Sequence, residues 1–316
     1  MPSIAFLGVQ RHDRRRVRGP WPYLRCVRGR GDILAPGVNI YECTGLFSDE
    51  FEVLFTAVAP YLIQPRLPAS RSSPRATSLL PRMRLLLVLQ ALRQNSLYTA
   101  LAGTYNVSKS FVARELLHVL PILESRLPPI TWPAEVPCYW PVCAASGVID
   151  ATAHPRQEVH PGSALYFRTD VRAPNILGLM VVSMEGVLWH ASFYHGHSND
   201  QGAFLLSDLG YFLYSNRIRL LSDQIFVHEM LLRASHDPAS PLWHVTHSGL
   251  RWIVEAFYGY LKGWHVARDT VRVAPERHIL MLSVIYRLVA RILRAQPFRT
   301  LPPADYNVHG STESEE

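Results

Sequence analysis

Three carboxylates in this chain interrupt apolar stretches. Asp150 lies inside Gly147-Val148-Ile149-Asp150-Ala151-Thr152, and Asp223 follows Leu220-Leu221-Ser222. Glu255 sits within Arg251-Trp252-Ile253-Val254-Glu255-Ala256-Phe257. An ionised carboxylate among Val, Ile, Leu and Phe is costly unless a cation or a hydrogen-bond network compensates it. One arrangement serves all three: neighbouring strands bring Asp150 and Asp223 to one end of a sheet, and a helix carries Glu255 across. Hard oxygen donors with open coordination positions suit Mg²⁺ or Mn²⁺. Two such ions, about 4 Å apart, activate water and stabilise the leaving oxygen of a phosphodiester. The alternative, for any one carboxylate alone, is a nearby arginine or the end of a secondary-structure element.

The segment around Glu255 carries more chemistry. Arg251 and Glu255 are four residues apart on one helical face, and Tyr258 and Lys262 continue it. Cationic groups beside a carboxylate site would meet a phosphate backbone, whereas a solvated Arg251–Glu255 pair is the plainer alternative. The chain holds thirty arginines and only two lysines, Lys109 and Lys262. His195, His197, Ser198, Asn199 and Asp200 follow an apolar run. His195, His197 and Asp200 have the chemistry of a zinc site. The favoured expectation is a loop at the same sheet end, donating Asp200 as a further ligand or orienting one.

These side chains need a scaffold. Short apolar runs at 147–152, 176–183, 187–196 and 217–226 predict strands, the second and third forming a hairpin around Met184-Glu185-Gly186. Helical spacing predicts helices over 201–214, 248–264 and 275–293. The order implies a mixed sheet with helices on its faces. Upstream, a helix is expected over 49–63, capped by Asp49. Residues 82–127 read as helical pieces: one from Met83, a short one over 97–105, and one from the cap Ser108 to Leu120, with Pro121 behind it. Helix, turn and capped helix have the shape of a helix-turn-helix, or equally of an ordinary helical bundle. On the third piece Lys109, Ser110 and Arg114 are expected outside, with Phe111, Val112, Leu116 and Val119 inside.

Charge is unevenly distributed. Residues 1–40 carry eight arginines against Asp13 and Asp32, which is six of the formal net charge of +7. Residues 65–94 add six arginines and no acid. A basic front half suggests polyanion binding, or else a solubilising arm. Arg14-Arg15-Arg16 fits a nuclear import signal. With 48% hydrophobic residues a substantial core is expected. No apolar run reaches the roughly 18 residues of a membrane span. Four cysteines make no disulfide framework, Cys138 and Cys143 lack a second pair for zinc, and a reducing compartment is expected. The expected division is a basic arm over 1–44, a helical region over 45–135, a sheet domain over 136–300 and an acidic tail over 301–316.

Taken in order, four blocks resemble the DDE superfamily endonucleases of Harbinger transposons. They are Gly147 to Thr152, then Gly196-His197-Ser198-Asn199-Asp200, then Leu220 to Asp223, then His247-Ser248-x-x-Arg251-x-x-Val254-Glu255-x-x-Tyr258-x-x-Leu261-Lys262. Residues 85–120 are similar to the helix-turn-helix those proteins carry in front. The resemblance spans roughly residues 45–295 and implies an α/β, ribonuclease-H-like mixed sheet flanked by helices, preceded by an α-helical helix-turn-helix region. It implies a divalent-metal-dependent nuclease with Asp150, Asp223 and Glu255 catalytic, and Mg²⁺ or Mn²⁺ held by these three and Asp200. DNA contacts are expected at Lys109, Ser110, Arg114, Arg251 and Lys262. A nuclear protein is implied, working on DNA and with a separate DNA-binding partner, and a homo-oligomer is compatible with it. The chain departs from the family pattern after Asp223, where Gln224-Ile225-Phe226-Val227 replaces Ser-Gly-Tyr-Pro. That departure leaves a second expectation open: a domesticated, catalytically inactive DNA-binding protein of the same descent.

Overall fold

The computed structural model describes residues 39–63, 79–137, 145–158, 162–169, 171–234 and 241–295, with the side chains of 241–246 and 248 left out. Most of the basic arm, residues 64–78, Cys138, Cys143 and the acidic tail lie outside the described residues. A helical layer comes first: α1 (Ile40–Thr44), α2 (Ser48–Leu62), α3 (Pro81–Gln94), α4 (Tyr98–Tyr105) and α5 (Lys109–Arg126). The sheet region follows as β1 (Gly147–Pro155), α6 (Ser163–Tyr166), β2 (Phe167–Arg168), β3 (Ala173–Ser183) and β4 (Leu188–His195). It continues as α7 (Asp200–Leu206), α8 (Leu209–Ser215), β5 (Leu220–Leu221), β6 (Leu231–Leu232), α9 (Pro241–Lys262), α10 (His265–Arg268) and α11 (Pro275–Ala295). None of the helices is long and apolar enough to cross a membrane.

The sheet is mixed and open, with six strands. β3 pairs antiparallel with β1, β2 and β4, while β5 runs parallel to β1 and β6 parallel to β5. Side chains alternate along a strand, so each strand feeds two cores. Val148, Ile176, Met180 and Val182 pack with Val254, Phe257, Leu282 and Ile285 on one face. Ile149, Leu177, Leu179 and Val181 pack with Ala203, Phe204, Leu209 and Leu213 on the other. Burial on both faces explains why 176–183 is a continuous apolar run.

Several boundaries differ from the sequence expectation. The helix expected over 201–214 is two, α7 and α8. Ser207 Oγ donates to Phe204 O at 2.6 Å and accepts from Leu209 N at 3.3 Å, so its hydroxyl competes with the helical backbone at the break. α5 runs through Pro121 to Arg126, because Leu123 and Leu127 both bury in the core beyond it. The strand expected over 217–226 keeps only Leu220–Leu221, since Asp223 Oδ1 accepts from Gln224 N at 2.6 Å and turns the chain away. α2 starts one residue before Asp49, with Glu50 accepting from Phe47 N at 2.8 Å. The Ser108 cap is present, accepting from Phe111 N at 3.1 Å.

The helical layer is not a separate body. Its core is continuous with the α11 face of the sheet. Ser283 donates to Glu124 Oε1 at 2.7 Å, and Arg287 Nη1 to Glu124 O at 2.6 Å. Within the layer, Arg84 and Glu115 form a buried ion pair at 2.6 Å, and Arg84 also donates to Leu62 O. Removing one partner strands the other charge in the core. Glu115→Ala is therefore expected to cost about 3–5 kcal/mol in urea denaturation. A loss below about 1 kcal/mol would show that Arg84 finds water or another acceptor.

Candidate functional site

β1 and β5 pair in parallel as Gly147↔Leu220 and Val148↔Leu221. Two residues further along each strand, that register reaches Asp150 and Asp223. Asp150, within the first half of β1, is therefore level with Asp223, which lies just past the end of β5. Asp200 opens α7, whose cap Asn199 accepts from Gly202 N at 2.6 Å. Asp200 and Asp223 are both near enough to Asp150 for their charges to oppose its ionisation.

Asp150 is the strained member. Its side chain is 16% exposed. Burial raises its carboxyl to about 6, against the opposing pull of a hydrogen bond from Ala151 N and the charge of Arg251. Arg251 stands between the two aspartates, its Nη2 3.5 Å from Asp150 Oδ2 and its Nη1 3.7 Å from Asp223 Oδ1. These separations exceed good hydrogen-bond lengths, so the guanidinium compensates the carboxylates loosely. Asp200 pairs with Arg168 Nη1 at 3.0 Å.

α9 is held against this edge by His247. Its ring Nε2 lies 3.1 Å from Ser222 O and 3.2 Å from Leu232 O, so it carries the proton and donates to both strand ends. Tyr258 is half-buried, its hydroxyl enclosed beside Asp150 and Asp200, and burial raises its phenol well above the usual range. Its hydroxyl has no hydrogen-bond partner among the described residues. Lys262 Nζ lies 5.8 Å from the Tyr258 ring centre.

The structure thus gathers Asp150, Asp200, Asp223 and Arg251. It does not bring Glu255 to them. Glu255 is exposed, and no ion pair or hydrogen bond joins it to the aspartates or to Arg251 among the described residues. Among those residues no group of three or more His, Cys, Asp or Glu is placed to hold a metal ion, the His195, His197 and Asp200 set included. Lys109, Ser110 and Arg114 are exposed on α5, while Val112, Leu116 and Val119 are buried, as expected for that helix. Sequence reasoning missed Arg168, which sits on a two-residue strand with no periodicity to read. It named His247 only as part of a motif.

The molecule is an α/β protein with a mixed open sheet flanked by helices and an acidic cluster where β1 passes the end of β5. No protein-family model matches the chain, and no curated protein or solved structure is significantly similar to it.

Proposed function

We propose that this chain is a DNA endonuclease of the DDE type, dependent on Mg²⁺ or Mn²⁺ and hydrolysing phosphodiester bonds. The observation that carries the reading is the register placing Asp150 beside Asp223, with Asp200 in range of Asp150. Three antiparallel strands, β1, β3 and β4, continued by β5 and β6 parallel to β1, support a ribonuclease-H-like assignment. The packing of α4 against α3 and α5, with a polar exposed face on α5, supports the helix-turn-helix. A nuclear location and a DNA-binding partner protein belong to the same proposal.

The donor chemistry of the site fits a hard divalent ion. The three aspartates are oxygen donors, and Asp150 is short of positive charge where it stands. Asp150 and Asp223 would hold the ion, with Asp200 beside them paired to Arg168, and the ion would supply a nucleophilic water and a counter-charge for the leaving oxygen. Arg251 and Lys262 orient backbone phosphate, and His247 fixes α9 to the strand ends. The test is plasmid nicking by the purified protein with Mg²⁺ or Mn²⁺, beside Asp150→Ala. Cleavage is expected to fall to background in the variant while DNA binding persists. Cleavage retained by Asp150→Ala would overturn the assignment.

Two observations favour the second reading, a DNA-binding protein of the same descent without catalysis. Arg251 lies between Asp150 and Asp223, and Glu255 faces solvent. Duplex binding with no nicking by the wild type, in either metal, would select it.

A further inference from the structure

An open groove of about 470 Å³ runs between the helical layer and the segment joining α10 to α11. Ser96, Tyr98, Thr99 and Lys109 line one side, and Thr270 and Arg272 the other. We propose that this groove seats the sugar-phosphate backbone of a nucleic acid, with Lys109 and Arg272 gripping a phosphate from opposite walls. The inference rests on the DNA-acting reading and adds a binding site some way from the aspartates.

Three features carry it. The first is charge. No carboxylate lines the groove, and neither Lys109 nor Arg272 has an ion-pair partner among the described residues. The nearby Asp269 is taken up by Arg268 and His265. Two unpaired cations across an open cleft attract an anion and repel each other without one.

The second is hydrogen-bonding capacity. α4 opens into the groove with no side-chain cap: Ala100 N and Leu101 N donate to Leu97 O at 2.9 and 3.1 Å, and no side chain caps Tyr98 N or Thr99 N ahead of them. Thr99 and Ser96 add hydroxyls to the same wall. α5 differs, because Ser108 caps it and leaves Lys109 as its contribution to the groove.

The third is rigidity. The far wall is tied down at both ends: Val271 N donates to Pro155 O at 3.2 Å and Gln157 N to Val271 O at 2.9 Å, joining it to β1. Arg156 Nη2 donates to Val273 O at 3.3 Å, and Asn95 Nδ2 to Thr270 O at 3.2 Å, joining it to the end of α3. A site held in place before binding loses little on ordering. Its volume exceeds the needs of a lone phosphate and falls within the range of ordinary ligand sites, about 300–1,000 Å³. Beyond Lys109 the exposed face of α5 continues through Ser110 and Arg114, a path for a chain rather than for a small molecule.

The test is binding of a fluorescent duplex of about twenty base pairs across a salt series. Compared are the wild type, the double variant Lys109→Gln/Arg272→Gln, and Arg294→Gln, which removes an exposed charge at the end of α11. The double variant is expected to bind about tenfold or more weakly, with its log–log salt dependence shallower by about two. Arg294→Gln is expected to bind like the wild type, and all three to melt together, since the altered side chains are exposed. Wild-type affinity and slope in the double variant would overturn the groove alone. No duplex binding by the wild type would overturn the DNA-acting reading and the groove with it. A second arm measures melting with inorganic phosphate or a nucleotide. Stabilisation lost in the double variant, with duplex binding unchanged, would place a free phosphorylated molecule there and overturn the nucleic-acid assignment.

Discussion

Asp150→Asn is expected to make the protein more stable at pH 7 while removing its cleavage activity. Asp150 sits in a strand with its carboxyl raised to about 6 by burial, so at neutral pH the fold holds a charge it does not favour. Relative to an unfolded aspartate near 3.8, that displacement is worth roughly 3 kcal/mol. The folded carboxyl is raised above the unfolded one, so its ionisation costs stability above pH 6. The cost disappears as the pH falls through 6 towards 4. Asparagine keeps the shape and discards the charge. At pH 7 the melting temperature should rise by roughly 4–7 °C for a chain of this size. At pH 4 the two proteins should melt close together. Scanning calorimetry at the two pH values reads both effects. A variant less stable than the wild type at pH 7 would show that Arg251 depends on Asp150 more than Asp150 is strained. Loss of activity with gain of stability is what a residue retained for chemistry shows.

Acid is expected to unfold the protein well above the pH at which its carboxylates protonate. His154 is fully buried, its Nδ1–H donating to Ala267 O at 2.8 Å and its Nε2 accepting from Tyr286 OH at 2.9 Å. Burial lowers it to about 4. His278, also fully buried, is lowered to about 3, chiefly by burial and further by the neighbouring His154. Both are neutral in the fold, whereas in the unfolded chain a histidine takes up its proton near 6.5. Stability is therefore whole above about 6.5 and falls as the pH drops towards 4 and then 3. Each buried histidine accounts for about 3–5 kcal/mol across its window. His190, lowered by burial to about 4, acts in the same direction. Asp150 opposes them between 6 and 4 by roughly 3 kcal/mol. The balance still removes a large part of a typical 5–15 kcal/mol stability. Melting followed by circular dichroism from pH 7 to 4 should show a steep decline beginning near 6. A flat profile to pH 4.5 would mean that water reaches both imidazoles.

The two predictions separate because they concern opposite faces of the same problem. At Asp150 a charge is kept where burial disfavours it. At His154 and His278 the charge is given up, and the neutral rings use their hydrogen bonds to fasten α10 and α11 to β1 and to each other. The first arrangement suits a site, the second a joint.

Much of this architecture was legible from residue order. The run 176–183 reads as a strand because it is apolar throughout, and the hairpin follows from its turn at 184–186. Ser108 announces α5, and the spacing of Val112, Leu116 and Val119 turns Lys109, Ser110 and Arg114 outward. Asp150 and Asp223 stand out because neither belongs in its surroundings. These are local properties, decided within a few residues. What Arg251 and Glu255 do was not local. Four residues apart, they look like partners, but an exposed pair of that kind is worth only about 0.2–0.5 kcal/mol. A buried Asp150 draws on a cation far more strongly, and it takes Arg251. The rotation of α9 settles the rest. Ile253, Val254, Phe257 and Leu261 are buried and set which side faces the core. At 3.6 residues per turn, Tyr258, Arg251, Lys262 and Glu255 then step away from that side in that order, by roughly 20° each. Tyr258 comes to rest half-buried with its hydroxyl enclosed, Arg251 between Asp150 and Asp223, and Glu255 in water. The sequence by itself determined which residues are acidic, apolar or helical. Only the packing of α9 on the sheet decided which of them meet, because the angle of a helix about its own axis is set by everything it buries at once.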